Sequence, residues 1–94
     1  MGSVCAHHFH VVSTGVNPPE EIYIKGKAPA DVVNMNGMIL DGRVHAHITY
    51  ANDKVAYGGH LEPDTRVLTF MVISIIPIEN RLTNWDCIGK LDKC

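Results

Sequence analysis

Three histidines at strand spacing carry the most chemistry in this chain. His45 and His47 stand two residues apart, and His60 follows beyond the turn-forming pair Asn52-Asp53. Alternate side chains of an extended strand leave the same side, so His45 and His47 point together. If Asn52-Asp53 is a two-residue turn, or Ala51 to Lys54 a four-residue one, opposed residues have numbers summing to 105. His45 then faces His60 and His47 faces Gly58, while Val44 with Leu61, Ile48 with Tyr57 and Tyr50 with Val55 make an apolar reverse face. A slip by one residue would set Val44 against His60 and scramble both faces, which argues for this register. Opposed Cβ atoms lie about 4.5 to 5.5 Å apart, near enough for ring nitrogens to meet one ion at about 2.1 Å. Three neutral imidazoles with a vacant fourth position are the ligand set of a catalytic zinc site. The expected metal ligands are therefore His45, His47 and His60, with Zn2+ ahead of nickel, copper or iron. Ordinary surface or core histidines are the plainer alternative, but such a triad without an ion repels as it protonates.

A second group, His7, His8 and His10, is less informative. In a strand His8 and His10 share one face, and His7 joins Cys5 and Phe9 on the other. No third partner follows from the sequence, so these histidines read as packed or solvated rather than as ligands. Glu62 reads as the cross-strand partner of Arg43 before it reads as a catalytic base. Asp41-Gly42-Arg43 reads as a turn. No residue pattern assigns a general base or a substrate pocket.

The elements that must hold these residues are strands. Ser3 to Val12 reads as the first, and Ser13 to Glu20, with Gly, Asn and Pro-Pro, as a loop. Glu21 to Lys25 alternates apolar with polar, and Gly26 to Pro29 breaks it. Asp31 to Leu40 is the third strand, with Gly37 marking a bulge or a close approach. Asp41-Gly42 turns the chain into Arg43 to Tyr50, and Asn52-Asp53 turns it into Lys54 to Leu61. Glu62-Pro63-Asp64 leads to a long strand, Arg66 to Ile76, ended by Pro77. Glu79 to Cys94 has no clear period and reads as loop with one helical turn at most. The expected architecture is six antiparallel strands in a meander.

Size and composition set the outer limits. The chain has 94 residues, 46% of them hydrophobic and 19% charged, which fits one small domain over residues 1–94. No apolar run reaches the length of a membrane helix, and Met1 to Cys5 lacks the pattern of a secretory signal, so a soluble cytoplasmic protein is expected. A net charge of −2 without a basic block argues against a phosphate-neutralising surface. Cys5, Cys87 and Cys94 match neither a disulfide framework nor a paired zinc motif and read as reduced thiols. A domain this small buries too little surface for its apolar content, so self-association is expected. Arg66 to Ile76 sharpens that expectation, because residues of both parities are apolar and both faces need cover.

Taken in order, Val33-Asn34-Met35-Asn36-Gly37, His45-Ala46-His47, Tyr57-Gly58-Gly59-His60-Leu61 and the long strand ending at Pro77 resemble the PPC domain, the plant and prokaryote conserved domain of proteins described as DNA-binding. The likeness covers about residues 2–82 and leaves 83–94 as a C-terminal tail. It implies an α+β fold dominated by an antiparallel β-sheet, assembled as a homotrimer with the histidine site near a subunit boundary. That fold is shared with zinc-dependent alpha-acetolactate decarboxylase, whose ligands also follow a His-x-His then His order, which carries over to His45, His47 and His60. Relatives are usually longer, and the first strand and helix ahead of their Gly-Ser step have no counterpart before Gly2-Ser3. The resemblance implies one of two functions. One is a zinc-dependent enzyme acting on a small carbonyl or carboxyl substrate; the other is a DNA-binding or regulatory oligomer without catalysis. The plant AT-hook, built on Arg-Gly-Arg-Pro, does not occur in this sequence, so direct nucleic-acid contact is not expected.

Overall fold

The computed structural model of the chain describes residues 1–78. Six strands appear, all in one sheet: β1 (Gly2–Val12), β2 (Glu21–Gly26), β3 (Ala30–Leu40), β4 (Arg43–Ala51), β5 (Ala56–Leu61) and β6 (Arg66–Met71). The sheet-dominated fold agrees with the expectation from sequence; no helix occurs among the described residues, and none there could cross a membrane. The expected tail from Glu79 to Cys94 lies outside the described residues.

The order of the strands is not a meander. β1 runs through the middle, paired on both edges along its length: its first half by β3 and β6, its second half by β2 and β5. The hairpins β3–β4 and β4–β5 then complete a ring of pairings, β1–β3–β4–β5 and back to β1. Loop Ser13–Glu20 is closed by the Ser13 amide donating to the Glu20 carbonyl at 2.7 Å and the Glu20 amide donating to the Ser13 hydroxyl at 2.9 Å.

Turn chemistry sets the two hairpin registers. Asp41 and Gly42 both take positive φ, 50° and 75°, the two-residue turn that matches strand twist, and Leu40 pairs with Arg43. Asn52 and Asp53 keep negative φ, so that turn is not repeated. Instead the Asn52 side-chain oxygen accepts from the amides of Lys54 and Val55, at 2.9 and 3.2 Å, and the Asn52 amide donates to the Val55 carbonyl. This Asx-type closure makes Asn52–Val55 a four-residue loop, with Ala51 opposite Ala56. Opposed residues in β4 and β5 therefore sum to 107, not 105: His47 faces His60, Thr49 faces Gly58 and Tyr50 faces Tyr57. The shift is even, so every side chain keeps its expected face while changing its partner.

Two glycines allow β5 to lie between β4 and β1. A Cβ on Gly58 would collide with the Ile48 carbonyl of β4, and one on Gly59 with the His10 carbonyl of β1. Gly37 likewise marks a close approach, to His45 and Ala46, while the bulge of β3 falls between Val32 and Asn34. The core is small: Val4, Phe9, Ala30, Val32, Ile48 and Tyr50 are buried, with Val11, Met35, Tyr57, Leu61 and Met71 against them. β6 ends at Met71 rather than Ile76; beyond it the Val72 amide donates to the Met1 carbonyl at 2.8 Å. Val67, Leu68 and Phe70 stay about half exposed, at 50%, 50% and 52%, so among the described residues nothing fully covers either face of β6.

Candidate metal centre

The pairings place one row of side chains straight across five strands on the face opposite the core. Tyr23 lies beside His10, His10 beside His60, His60 beside His47, and His47 beside Asn36. His45 stands two residues along β4 from His47, beside Met38. The row exists because β5 reaches β1, and that approach depends on Gly59.

The rings of His45, His47 and His60 are neighbours on this face, whereas the three residues whose donor atoms all lie within 4.8 Å of one another are His10, His60 and Glu62. The His60 ring centroid is 4.6 Å from that of His45 and 5.8 Å from that of His47, with His45 and His47 5.9 Å apart. His60 Nε2 lies 3.2 Å from His45 Nδ1. Two nitrogens bound to one tetrahedral ion at about 2.05 Å would stand about 3.3 Å apart, so this pair already has ligand spacing. His60 Nδ1 is 3.1 Å from the Leu61 carbonyl, which can only accept, so the proton sits on Nδ1 and the Nε2 lone pair faces His45. Burial lowers the His60 pKa below its ordinary value, and the neighbouring His10 and His45 lower it further. The neutral, ligating form is the one this environment favours.

Two further residues join the cluster. His10 stacks on His60 with centroids 4.3 Å apart, and its Nδ1 lies 2.5 Å from Glu62 Oε1. Glu62 Oε1 is also 3.8 Å from His60 Nδ1. One donor atom from each of His10, His60 and Glu62 falls within 4.8 Å of the other two, a grouping able to hold a metal ion. Glu62 is fixed from behind: its amide donates to the His8 carbonyl at 3.0 Å, and the Thr65 hydroxyl bridges the His8 and Glu62 carbonyls. Past His10, Glu21 Oε1 stands 3.6 Å from Nε2, and the Tyr23 hydroxyl donates to Glu21 Oε2 at 2.7 Å. That bond to a carboxylate raises the Tyr23 pKa.

Several sequence expectations change here. Glu62 is bound to His10, not to Arg43, which sits at the far end of the β3–β4 hairpin opposite Leu40. Gly58 opposes Thr49 and does not open the face beside His47. His8 packs against Tyr23 and meets the Pro63 carbonyl through Nδ1 at 2.7 Å, outside the cluster. His7 is half-buried on the core side, its ring beside those of Tyr57 and Phe9. Cys5 is a free thiol, as expected, while Cys87 and Cys94 lie outside the described residues. His10 is the residue the sequence cannot place, because its partner β5 lies some fifty residues away; Glu62, just past the end of β5, carries a weaker signal in standing two residues after His60. Comparison with protein families, curated proteins and solved structures finds no match for this chain.

Proposed function

We propose that this chain is a divalent-metal-binding domain whose preferred ion is zinc, held by His45, His47 and His60. The observation that carries this reading is the 3.2 Å separation of His60 Nε2 and His45 Nδ1, with the Nδ1 proton of His60 already committed to a backbone carbonyl. A ligating histidine held in its tautomer by such a second partner is the usual arrangement at zinc. The resemblance to the PPC domain supports the same three residues. Three imidazoles suit zinc, nickel or copper better than magnesium or calcium, and zinc accepts tetrahedral geometry without electronic penalty. An ion so held keeps a position for water or a substrate oxygen, where it would polarise a carbonyl or lower the pKa of bound water to about 7. The small carbonyl or carboxyl substrate is the reading of that open position.

Metal analysis of the full chain, purified without affinity histidines, should find about one ion per chain. Chelation should then lower the melting temperature, because an ion at a thousandfold excess over its Kd stabilises by about 4 kcal/mol. Protein that binds no zinc at neutral pH contradicts the proposal.

We also propose that the domain works as a homo-oligomer, a trimer by the resemblance. The support is β6, apolar on both faces and half exposed on both, continued by exposed Val72, Ile73, Ile75 and Ile76. Covering such surface is worth about 25 cal/mol per Å², which makes association part of the stability. Light scattering should report a multiple of 10.4 kDa, with a melting temperature that falls on dilution. A monomer at micromolar concentration, unchanged on dilution, refutes the assembly.

A further inference from the structure

We infer that the histidine face carries a second cation position, of mixed nitrogen and oxygen donors, formed by His10, Glu62 and His60. It shares His60 with the three-imidazole position and is used alternately with it. The inference rests on the reading that His45, His47 and His60 hold an ion.

The geometry is that of a site rather than of chance neighbours. The donors come from β1, β5 and the turn after β5, and lie within 4.8 Å of one another. The side chains are shielded, with 14%, 18% and 19% exposure for His10, His60 and Glu62. Separations of 2.5 Å for His10 Nδ1 to Glu62 and 3.8 Å for His60 Nδ1 to Glu62 bracket the roughly 3.0 to 3.4 Å edge of a six- or four-coordinate ion. Small rotations of Glu62 would equalise them.

The two positions use opposite sides of one ring. His60 Nε2 faces His45, whereas Nδ1 faces Glu62. A neutral imidazole has one free lone pair, so His60 serves one ion at a time. Ligation through Nδ1 gives up the bond to the Leu61 carbonyl, and ligation through Nε2 keeps it, so zinc in the native chain takes the three-imidazole position. Two imidazoles and a carboxylate suit a harder ion, and Mn2+ is the probe that separates the two, since it favours oxygen and gains least from a third imidazole.

The test titrates the full chain with Zn2+ and with Mn2+, the latter followed by the electron paramagnetic resonance of the free ion. Three variants are compared: the double variant His45→Ala with His47→Ala, Glu62→Gln, and His60→Ala. The double variant should lose zinc affinity by more than about 100-fold while holding one Mn2+ with affinity within about threefold of the native chain. Glu62→Gln should weaken Mn2+ by more than about tenfold and leave one zinc per chain. His60→Ala should lose both. His10→Gln repeats the Glu62 arm if that variant fails to fold. Native protein and Glu62→Gln that bind Mn2+ equally well overturn the second position, and two ions bound together per chain overturn the alternation. Absence of zinc binding in the native chain overturns the earlier reading alone, provided that Glu62-dependent Mn2+ binding persists.

Discussion

His7 and His10 lie three residues apart on β1, hence on opposite faces of the sheet, and each meets a different chemistry. The His7 ring sits among aromatic rings, with centroids 5.0 Å from Tyr57, 5.7 Å from Phe9 and 6.0 Å from Tyr50. Its polar contact there is the Tyr57 hydroxyl at 3.4 Å. The His10 ring is bracketed by Glu62 and Glu21 and stacked on a third titratable group, the His60 ring. Parity along one strand therefore sets whether a histidine meets the aromatic core side, as His7 does, or the face of titratable groups, as His10 does. β5 lying alongside β1 brings Tyr57 to His7 on one face and His60 to His10 on the other.

That dependence gives the largest expected effect. Gly59→Val forces a side chain against the His10 carbonyl and the Phe9 and Val11 side chains, and backbone cannot yield as a flexible side chain can. The urea midpoint should fall by the equivalent of about 3 kcal/mol. Mn2+ affinity at the His10–Glu62–His60 position should fall with it, because the same separation of β1 from β5 moves His10 away from His60. An unchanged midpoint would mean that the two strands are not in contact at that residue, and the contrast between the faces of β1 would lose its basis.

Next in size is a matched pair of substitutions. His60→Ala should weaken zinc by more than about 100-fold, since it removes a ligand rather than a supporting contact. His7→Gln should leave zinc affinity within about threefold while lowering the melting temperature of the apo chain. Isothermal titration and a thermal melt on both variants separate the roles; equal loss of affinity in the two would erase the distinction between the faces.

The strands, their faces and the hairpin neighbours are legible in the sequence, and the long-range pairings of β1 and the β4–β5 register are not. Asp41-Gly42 announces its turn because Gly tolerates positive φ and Asp tolerates it better than most. Asn52-Asp53 looks similar but closes through the Asn52 side chain instead, which lengthens the loop and moves the register by two. Period-2 alternation is blind to an even shift, so it puts His45, His47 and His60 on one face yet sets His60 opposite His45 instead of His47. The β1–β5 pairing is invisible to local pattern altogether, since it joins His10 to His60 across the chain. The length of β6 differs for a related reason: Arg66 to Ile76 has strand composition throughout, but a strand also needs a hydrogen-bonding partner, and among the described residues pairing stops at Val72 with Met1.

The core face makes a pH prediction with a definite sign. Burial lowers the His7 pKa below its ordinary 6.5, so the folded chain prefers it neutral while the unfolded chain takes up a proton near that value. The stabilisation is complete above about pH 6.5 and is lost as pH falls through and below it. His60 is shifted the same way, so the native chain reports both. In metal-free protein, melting temperatures measured from pH 7.5 down to 5 should fall, and His7→Gln should fall less steeply. Identical slopes would place the acid sensitivity on the histidine face alone.

The smallest effect tests how dry the core face is. Tyr50 is fully buried, and its hydroxyl is the one buried side-chain polar atom among the described residues that finds no hydrogen-bond partner. The Thr65 hydroxyl is close enough to act on the phenol, but its hydrogen is shared between the His8 and Glu62 carbonyls, and burial prevails in raising the Tyr50 pKa. An unpaired buried hydroxyl costs about 1 to 3 kcal/mol relative to a paired one, so removing it relieves the fold of a penalty rather than of a bond. The phenyl ring keeps its contacts with Phe9 and Tyr57, at 5.9 and 5.3 Å between centroids. Tyr50→Phe should therefore be neutral or stabilise by up to about 1 kcal/mol in urea unfolding. A loss of more than about 1 kcal/mol would show that the hydroxyl is bonded and the core face is wet, which would leave the two faces differing in degree rather than in kind.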